Sequence, residues 1–343
     1  MPEVIADSID RVCAVEMRFQ GDPEDGLPRG VSYPLYAAAR EEAGKPLTYL
    51  AARGLLESVK RNDTVLVVSG AGSPPFLPFG ETDGPLGTAS ICRAVDAAVG
   101  AKPIIITEQH CQRITVAATE AAGVSVLEEG SFAARGHSAL ALAMPYGPDT
   151  RPWVRQVLDK YKPRAIVFIE KGGPNEKGVC HTIRGVAKPP TVIASAYYFV
   201  EEARARGILT IGIGDGGNEI GYGRIHDQVK EIQYWGSRCQ CPCGAGVATV
   251  VATDVLVSAN ISNWGAYGVA AMLAVLANRP EALHDEDTEY RMLHKCVEAG
   301  GQDGCYGAQM MYVDGTHVRT NQALITMLRQ MVANGLTKLS RPF

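Results

Sequence analysis

Asp215, Asn218 and Glu219 stand together inside Ile211-Gly-Ile-Gly-Asp-Gly-Gly-Asn-Glu-Ile-Gly-Tyr-Gly223. Two carboxylates and an amide on so open a backbone suit a cation, an ammonium group or a proton in transit. Six of those thirteen residues are glycine. Each costs about 0.5–1 kcal/mol relative to Ala inside a regular element, so they belong where the chain turns sharply or approaches something closely. Gly212, Gly214 and Gly217 also satisfy G-x-G-x-x-G, the dinucleotide fingerprint. That reading is set aside, because the fingerprint opens a first βαβ unit and this copy lies late in the chain; its two carboxylates would also repel a pyrophosphate. The plain alternative is a tight turn whose Asp215 and Asn218 cap the next helix.

Three more polar loops carry groups of the same kind: Glu81-Thr82-Asp83-Gly84, Glu170-Lys171 and Ser262-Asn263. His181 and Arg184 follow within Gly178-Val-Cys-His-Thr-Ile-Arg-Gly185. Arginine presents a planar, permanently charged fork, so Arg184 is the candidate for holding a substrate carboxylate, with a surface ion pair as its alternative. His181 could move protons near neutral pH or serve the structure. Cys239-Gln-Cys-Pro-Cys243 lacks the second pair of ligands that a structural zinc site requires, so no metal cluster is expected there. The absence of a G-x-S-x-G elbow, a Walker A loop and an H-E-x-x-H helix argues against serine hydrolases, P-loop ATPases and zincins.

The elements that must position these loops alternate. Short β-branched runs at 64–69, 102–107, 124–128, 165–169, 207–213 and 254–259 read as strands, and helical stretches lie between them. The piece from Ser131 to Tyr146 reads as less regular. This is the texture of an α/β protein with a doubly wound, mostly parallel sheet in a Rossmann-like three-layer arrangement. Residues 1–60 read as a helical extension, with helices near 3–19, 34–43 and 47–60, packed on a single α/β catalytic domain spanning 61–343. In a parallel sheet the four polar loops all follow strands on one edge, where they could converge in one cleft.

A formal charge of −4 and no run of Lys or Arg give no general attraction to nucleic acid or to an acidic membrane surface. The expected partner is a small molecule, an amino acid or lactam, bound by a homo-oligomer. Nine cysteines without a recognisable leader suggest reduced thiols and a cytoplasmic location. No apolar run reaches the roughly 18 residues of a membrane span.

Glu81-Thr-Asp-Gly-Pro-Leu-Gly87, Glu170 with Gly178 to Gly185, Gly212-Ile-Gly-Asp-Gly-Gly-Asn-Glu-Ile-Gly221, Ser262-Asn-Trp-Gly265 and Val313-Asp-Gly315 stand in an order that resembles the D-glutamate cyclase-like family. The resemblance covers about residues 60 to 320; the Cys239 to Cys243 segment and the first sixty residues lie outside the pattern. It implies a hydro-lyase that closes D-glutamate, or a closely related amino acid, to 5-oxo-D-proline with loss of water. On that implication Asp215 or Glu219 is the base, Glu170 the complementary acid, and His181 a further catalytic candidate. Asp83 and Asn218 would orient them or share a divalent cation, Mg or Mn, with Asp215 and Glu219 as its ligands. Backbone N–H groups of the 214–217 turn would hold the developing oxyanion, and Arg184 the α-carboxylate. Thr82, Gly84, Lys171, Gly214, Gly216, Gly217, Ser262 and Asn263 would line the substrate pocket. No nucleotide cofactor is expected. A hydrolase acting on a small lactam or cyclic imide, and a non-catalytic amino-acid or nucleotide-binding protein, remain the alternatives.

Overall fold

The computed structural model describes residues 2–338 and 340. In chain order α1 (Pro2–Cys13), α2 (Ser32–Ala43) and α3 (Leu47–Ser58) precede β1 (Thr64–Ser69) and α4 (Pro85–Val99). Then come β2 (Lys102–Glu108), α5 (Gln112–Ala121), β3 (Ser125–Val126), α6 (Glu129–Ala134), β4 (Ser138–Met144), α7 (Thr150–Tyr161) and β5 (Ala165–Ile169). A small hairpin of β6 (Cys180–His181) and β7 (Ala187–Lys188) leads to α8 (Tyr198–Arg206), β8 (Leu209–Gly214), α9 (His226–Ile232) and β9 (Val255–Ser258). The chain ends in α10 (Ser262–Ala277), α11 (Glu286–Glu298), a second hairpin of β10 (Tyr312–Val313) and β11 (Thr316–His317), and α12 (Val318–Leu336).

Seven strands form one sheet in the order β3-β4-β2-β1-β5-β8-β9, and every pairing is parallel. Parallel strands are covered on both faces, which is why they read as continuous Val and Ile runs. Val65, Val67, Val167 and Ile211 face a core built with α1, α3, α4 and α10. Leu66, Val68, Ile166 and Phe168 face the opposite core, built with α7 and α8. Strand order reverses between β1 and β5, so the loops leaving their carboxyl ends run apart and open a crevice, the place where such sheets bind ligands.

Three local expectations needed revision. Ser138–Met144, read as irregular, is a full strand beside β2, with Leu140 opposite Ile104. Its Ala-Leu alternation has little intrinsic strand preference, and pairing on both sides overrides that. Only Ser125–Val126 of the 124–128 run pairs. Helix α1 stops at Cys13 instead of continuing to 19, and residues 15–20 have no regular structure. The N-terminal helices are tied to the rest: α1 and α3 pack on α10, and Asp10 caps α3 from outside by accepting the N–H groups of Leu47 (2.6 Å) and Thr48 (3.1 Å). Among the described residues no helix is long and apolar enough to cross a membrane.

Candidate active site

Two helices meet the sheet edge at their N-termini, where orphan N–H groups need acceptors. Asp83, at the mouth of α4, accepts from the N–H groups of Ser262 (2.9 Å) and Asn263 (2.8 Å), so it caps α10. Asn263 returns the contact: its Oδ1 accepts from Gly84 (2.9 Å) and Gly87 (2.6 Å) and caps α4, while its Nδ2 donates to Thr82 O at 3.0 Å. Each loop thus caps the helix that follows the other. Gly84 sits at φ +96°, and a Cβ there would lie 2.8 Å from Ser69 Oγ, so the crossing requires glycine. Thr82 is buried and donates its hydroxyl to Tyr312 O at 2.8 Å.

The turn after β8 is braced from inside. The Glu219 carboxylate accepts the N–H groups of Asp215 (3.2 Å), Gly216 (2.9 Å) and Gly217 (2.8 Å). The N–H groups expected to hold an oxyanion are therefore directed at Glu219, and Glu219, expected as base or cation ligand, is the group that shapes the turn. Gly217 needs its φ of +100°, with Val229 Cγ1 2.5 Å from where a Cβ would be. Gly214 packs on Tyr222 and Glu219, and Gly216 on Ile183.

Asp83, Glu170 and Asp215 bring carboxylate oxygens within 4.8 Å of one another. They come from the loops after β1, β5 and β8, the two sides of the reversal in strand order. Glu170, at φ +50°, accepts a hydrogen bond on Oε2 from the Ser262 hydroxyl. Asp215 Oδ2 accepts from Arg18 Nη2 at 2.6 Å. Arg18 is 3% exposed and also donates to Asp314 Oδ2 (2.8 Å) and Asn260 O (2.6 Å). Burial raises all three acids of the cluster. Asp83 is pushed up to about 7 by burial and then by Asp314, against its N–H donors. Glu170 rises well above the carboxylate range through burial and then the charges of Asp215, Glu219, Asp83 and Glu81. Asp215 also rises well above its ordinary value by burial, with the Arg18 guanidinium pulling against it and Asp314, Glu219 and Asp83 adding to the rise. Glu81 joins the same field, raised by burial and by Asp314, with Lys188 opposing. Ser69 Oγ and Asn260 Nδ2 are buried here without a partner among the described residues, two polar atoms that a ligand could satisfy.

The remaining expected site residues divide. Lys171 is fully buried and pairs with Glu108 at the end of β2, also donating to Gly70 O at 3.3 Å, so its charge is already matched. Arg184 lies at the surface, 63% exposed, 4.0 Å from Asp25, outside the buried acid cluster. His181 faces the sulfurs of Cys241 and Cys243, and Asn218 Nδ2 donates to His181 O at 3.2 Å. Arg18, Glu108 and Lys188 belong to no motif of the sequence, and Asp314 enters only within Val313-Asp-Gly315, without a role. Arg18 lies 197 residues from Asp215, and no local pattern could have paired them; Glu108 left one trace, a lone acid closing an apolar strand.

Residues 28–329 match the family described as D-glutamate cyclase-like, C-terminal. The chain is also similar to the Homo sapiens protein named D-glutamate cyclase, mitochondrial, 28% identical over 194 residues, which is 49% of this chain and 30% of that protein.

Proposed function

Because the chain belongs to the D-glutamate cyclase-like family, we propose that it is a hydro-lyase closing D-glutamate, or a closely related amino acid, to 5-oxo-D-proline with loss of water. The observation that carries this reading is the trio of Asp83, Glu170 and Asp215, the two aspartates buried and Glu170 half-buried, whose two mobile-proton members sit in unlike electrostatic surroundings. Acids crowd both groups, but only Asp215 has a guanidinium against one oxygen. Neighbours that differ in this way push two carboxyl groups toward opposite protonation states, so Asp215 is the base and Glu170 the acid.

The reaction needs that asymmetry. Two protons must leave the substrate nitrogen and reach the departing oxygen. Asp215 takes one from the ammonium as Glu170 gives one to the γ-carboxyl group, and the free amine attacks the γ-carbon. In the tetrahedral adduct Glu170 recovers a proton from nitrogen, Asp215 gives its own to the hydroxyl, and water leaves. Both acids end as they began, and holding the chain folded supplies much of the acceleration because attack is intramolecular. Asp83, its oxygens engaged at the start of α10, positions Ser262 and through it Glu170. Lys188, half-buried and near enough to Glu81 to oppose its rise, is assigned to the α-carboxylate in place of Arg184. The all-oxygen trio also fits a hard divalent cation such as Mg or Mn, which when bound would offset their mutual repulsion and polarise a carboxyl oxygen.

The test is NMR of the purified chain with D- and L-glutamate in parallel, watching for the ring-closed product, with 5-oxoproline supplied separately to read the hydrolytic direction. Ring closure of the D-enantiomer that disappears in Glu170→Gln supports the reading. No closure of either enantiomer, or full activity in Glu170→Gln, rejects it.

A further inference from the structure

Outside the acid cluster one group of side chains has no part in the reaction. Cys239 Sγ lies 3.5 Å from the Sγ atoms of both Cys241 and Cys243. His181 Nε2, from the β6–β7 hairpin, lies 3.3 Å from Cys241 Sγ and 3.7 Å from Cys243 Sγ. The fourth ligand that the C-x-C-x-C segment lacks locally is supplied from about sixty residues earlier.

The spacings identify what would fit. Zinc bonds of about 2.3 Å to sulfur and 2.0–2.1 Å to nitrogen, held tetrahedrally, leave neighbouring ligand atoms about 3.5–3.8 Å apart. A disulfide requires about 2.05 Å. A polynuclear iron–sulfur cluster places several irons between its thiolates and needs them farther apart than this. The histidine is also oriented for the task. Its Nδ1 lies 3.1 Å from Val179 O, and an N–H donated there leaves the Nε2 lone pair facing the sulfurs, the outer contact that ligating histidines make. Asn175 adds a second outer contact, its Nδ2 lying 3.4 Å from Cys243 Sγ while donating to Gly246 O at 2.7 Å.

We infer that His181, Cys239, Cys241 and Cys243 form a closed Cys3His site for one zinc ion. Four protein ligands leave no open position, so the ion is structural. It ties the 237–246 loop to the β6–β7 hairpin, whose Ile183 packs on Gly216 and whose His181 carbonyl accepts from Asn218. The ion therefore braces the wall against which the glycine turn rests. This holds whether or not the chain closes glutamate.

The full chain, purified under reducing conditions without chelator and then dialysed, should carry about one zinc per chain by elemental analysis. Cobalt(II) exchanged into it should show the intense red-region bands of a tetrahedral ion and a thiolate-to-cobalt charge-transfer band. Cys241→Ser and His181→Ala should lose most of the metal, whereas Cys305→Ser, at an exposed thiol outside the group, should keep it. Should a variant fail to fold, the wild-type stoichiometry and cobalt spectrum decide alone. Wild-type chain that stays metal-free after zinc reconstitution overturns the assignment, as does bound cobalt without the thiolate band, which would place it among carboxylates.

Discussion

In the proposed reaction Arg18 and Asp215 set the residue-scale chemistry, since a buried carboxylate works as a base only if something favours its ionised form. Asp215→Asn and Glu170→Gln should each lower kcat by about 10²–10⁴, the usual contribution of a positioned acid or base, Glu170→Gln with a thermal midpoint near wild type and Asp215→Asn with a lowered one because Arg18 loses one of its two carboxylate partners; the check is ring closure followed by NMR beside a melting curve. Arg18→Met makes a sharper case. With the guanidinium gone, burial raises Asp215 further, so the base ionises only at higher pH. The acidic limb of the kcat/KM profile should therefore move upward, with partial recovery of rate in alkali, while a purely structural loss would lower the profile at all pH values equally. The variant should also be less stable by about 3–5 kcal/mol, the cost of leaving a buried charge without its partner. Lys188→Ala should raise KM with kcat little changed, the sign of lost ground-state binding.

At the scale of elements, the site depends on two helix N-termini that complete each other. Asn263→Ala removes the acceptor of two α4 N–H groups and should cost about 1–2 kcal/mol in urea unfolding. Combined with Asp83→Ala the loss should fall short of the sum, because once one loop is released the other no longer has a fixed partner; an additive double mutant would separate the two caps. That reciprocity also bounds what the sequence discloses. Strands β1 and β5 are legible to the residue because Thr64–Ser69 and Ala165–Ile169 are unbroken apolar runs buried in a parallel sheet. β4 is not, since Ser-Ala-Leu-Ala-Leu-Ala-Met carries the composition of a helix and takes its identity from the strands beside it. The convergence of Asp83, Glu170 and Asp215 on one edge follows from parallel topology alone, and so was foreseeable. Which oxygens remained free was not, because Glu219 is held by backbone N–H groups and Arg184 by its exposed position, matters of three-dimensional contact.

For the whole molecule, the N-terminal helices share the core that supports the acid cluster. Ala6, Ile9 and Cys13 are buried with the sheet and α10, and Arg18 reaches the site from a segment preceding the family-matched residues 28–329. Docking of α1 on α3 passes through Asp10, whose carboxylate caps α3 yet is 3% exposed. Burial raises it from 3.8 to about 6, outweighing the Thr48 and Leu47 donors that pull it down. The sign of the linkage follows. Between the unfolded and folded values the native chain holds a proton that the unfolded chain has released, so this term is fully present below about pH 4 and is lost as pH rises through about 6. A shift of that size is worth about 2–3 kcal/mol. Asp10→Asn cannot titrate and loses the dependence along with part of the cap. Urea midpoints of both proteins between about pH 4.5 and 7.5 should therefore show a gap in favour of wild type that is widest in acid and narrows toward neutrality. A gap constant with pH would mean that Asp10 keeps its charge in the fold, and that the seam between the N-terminal helices and the parallel sheet is held by an ionised cap.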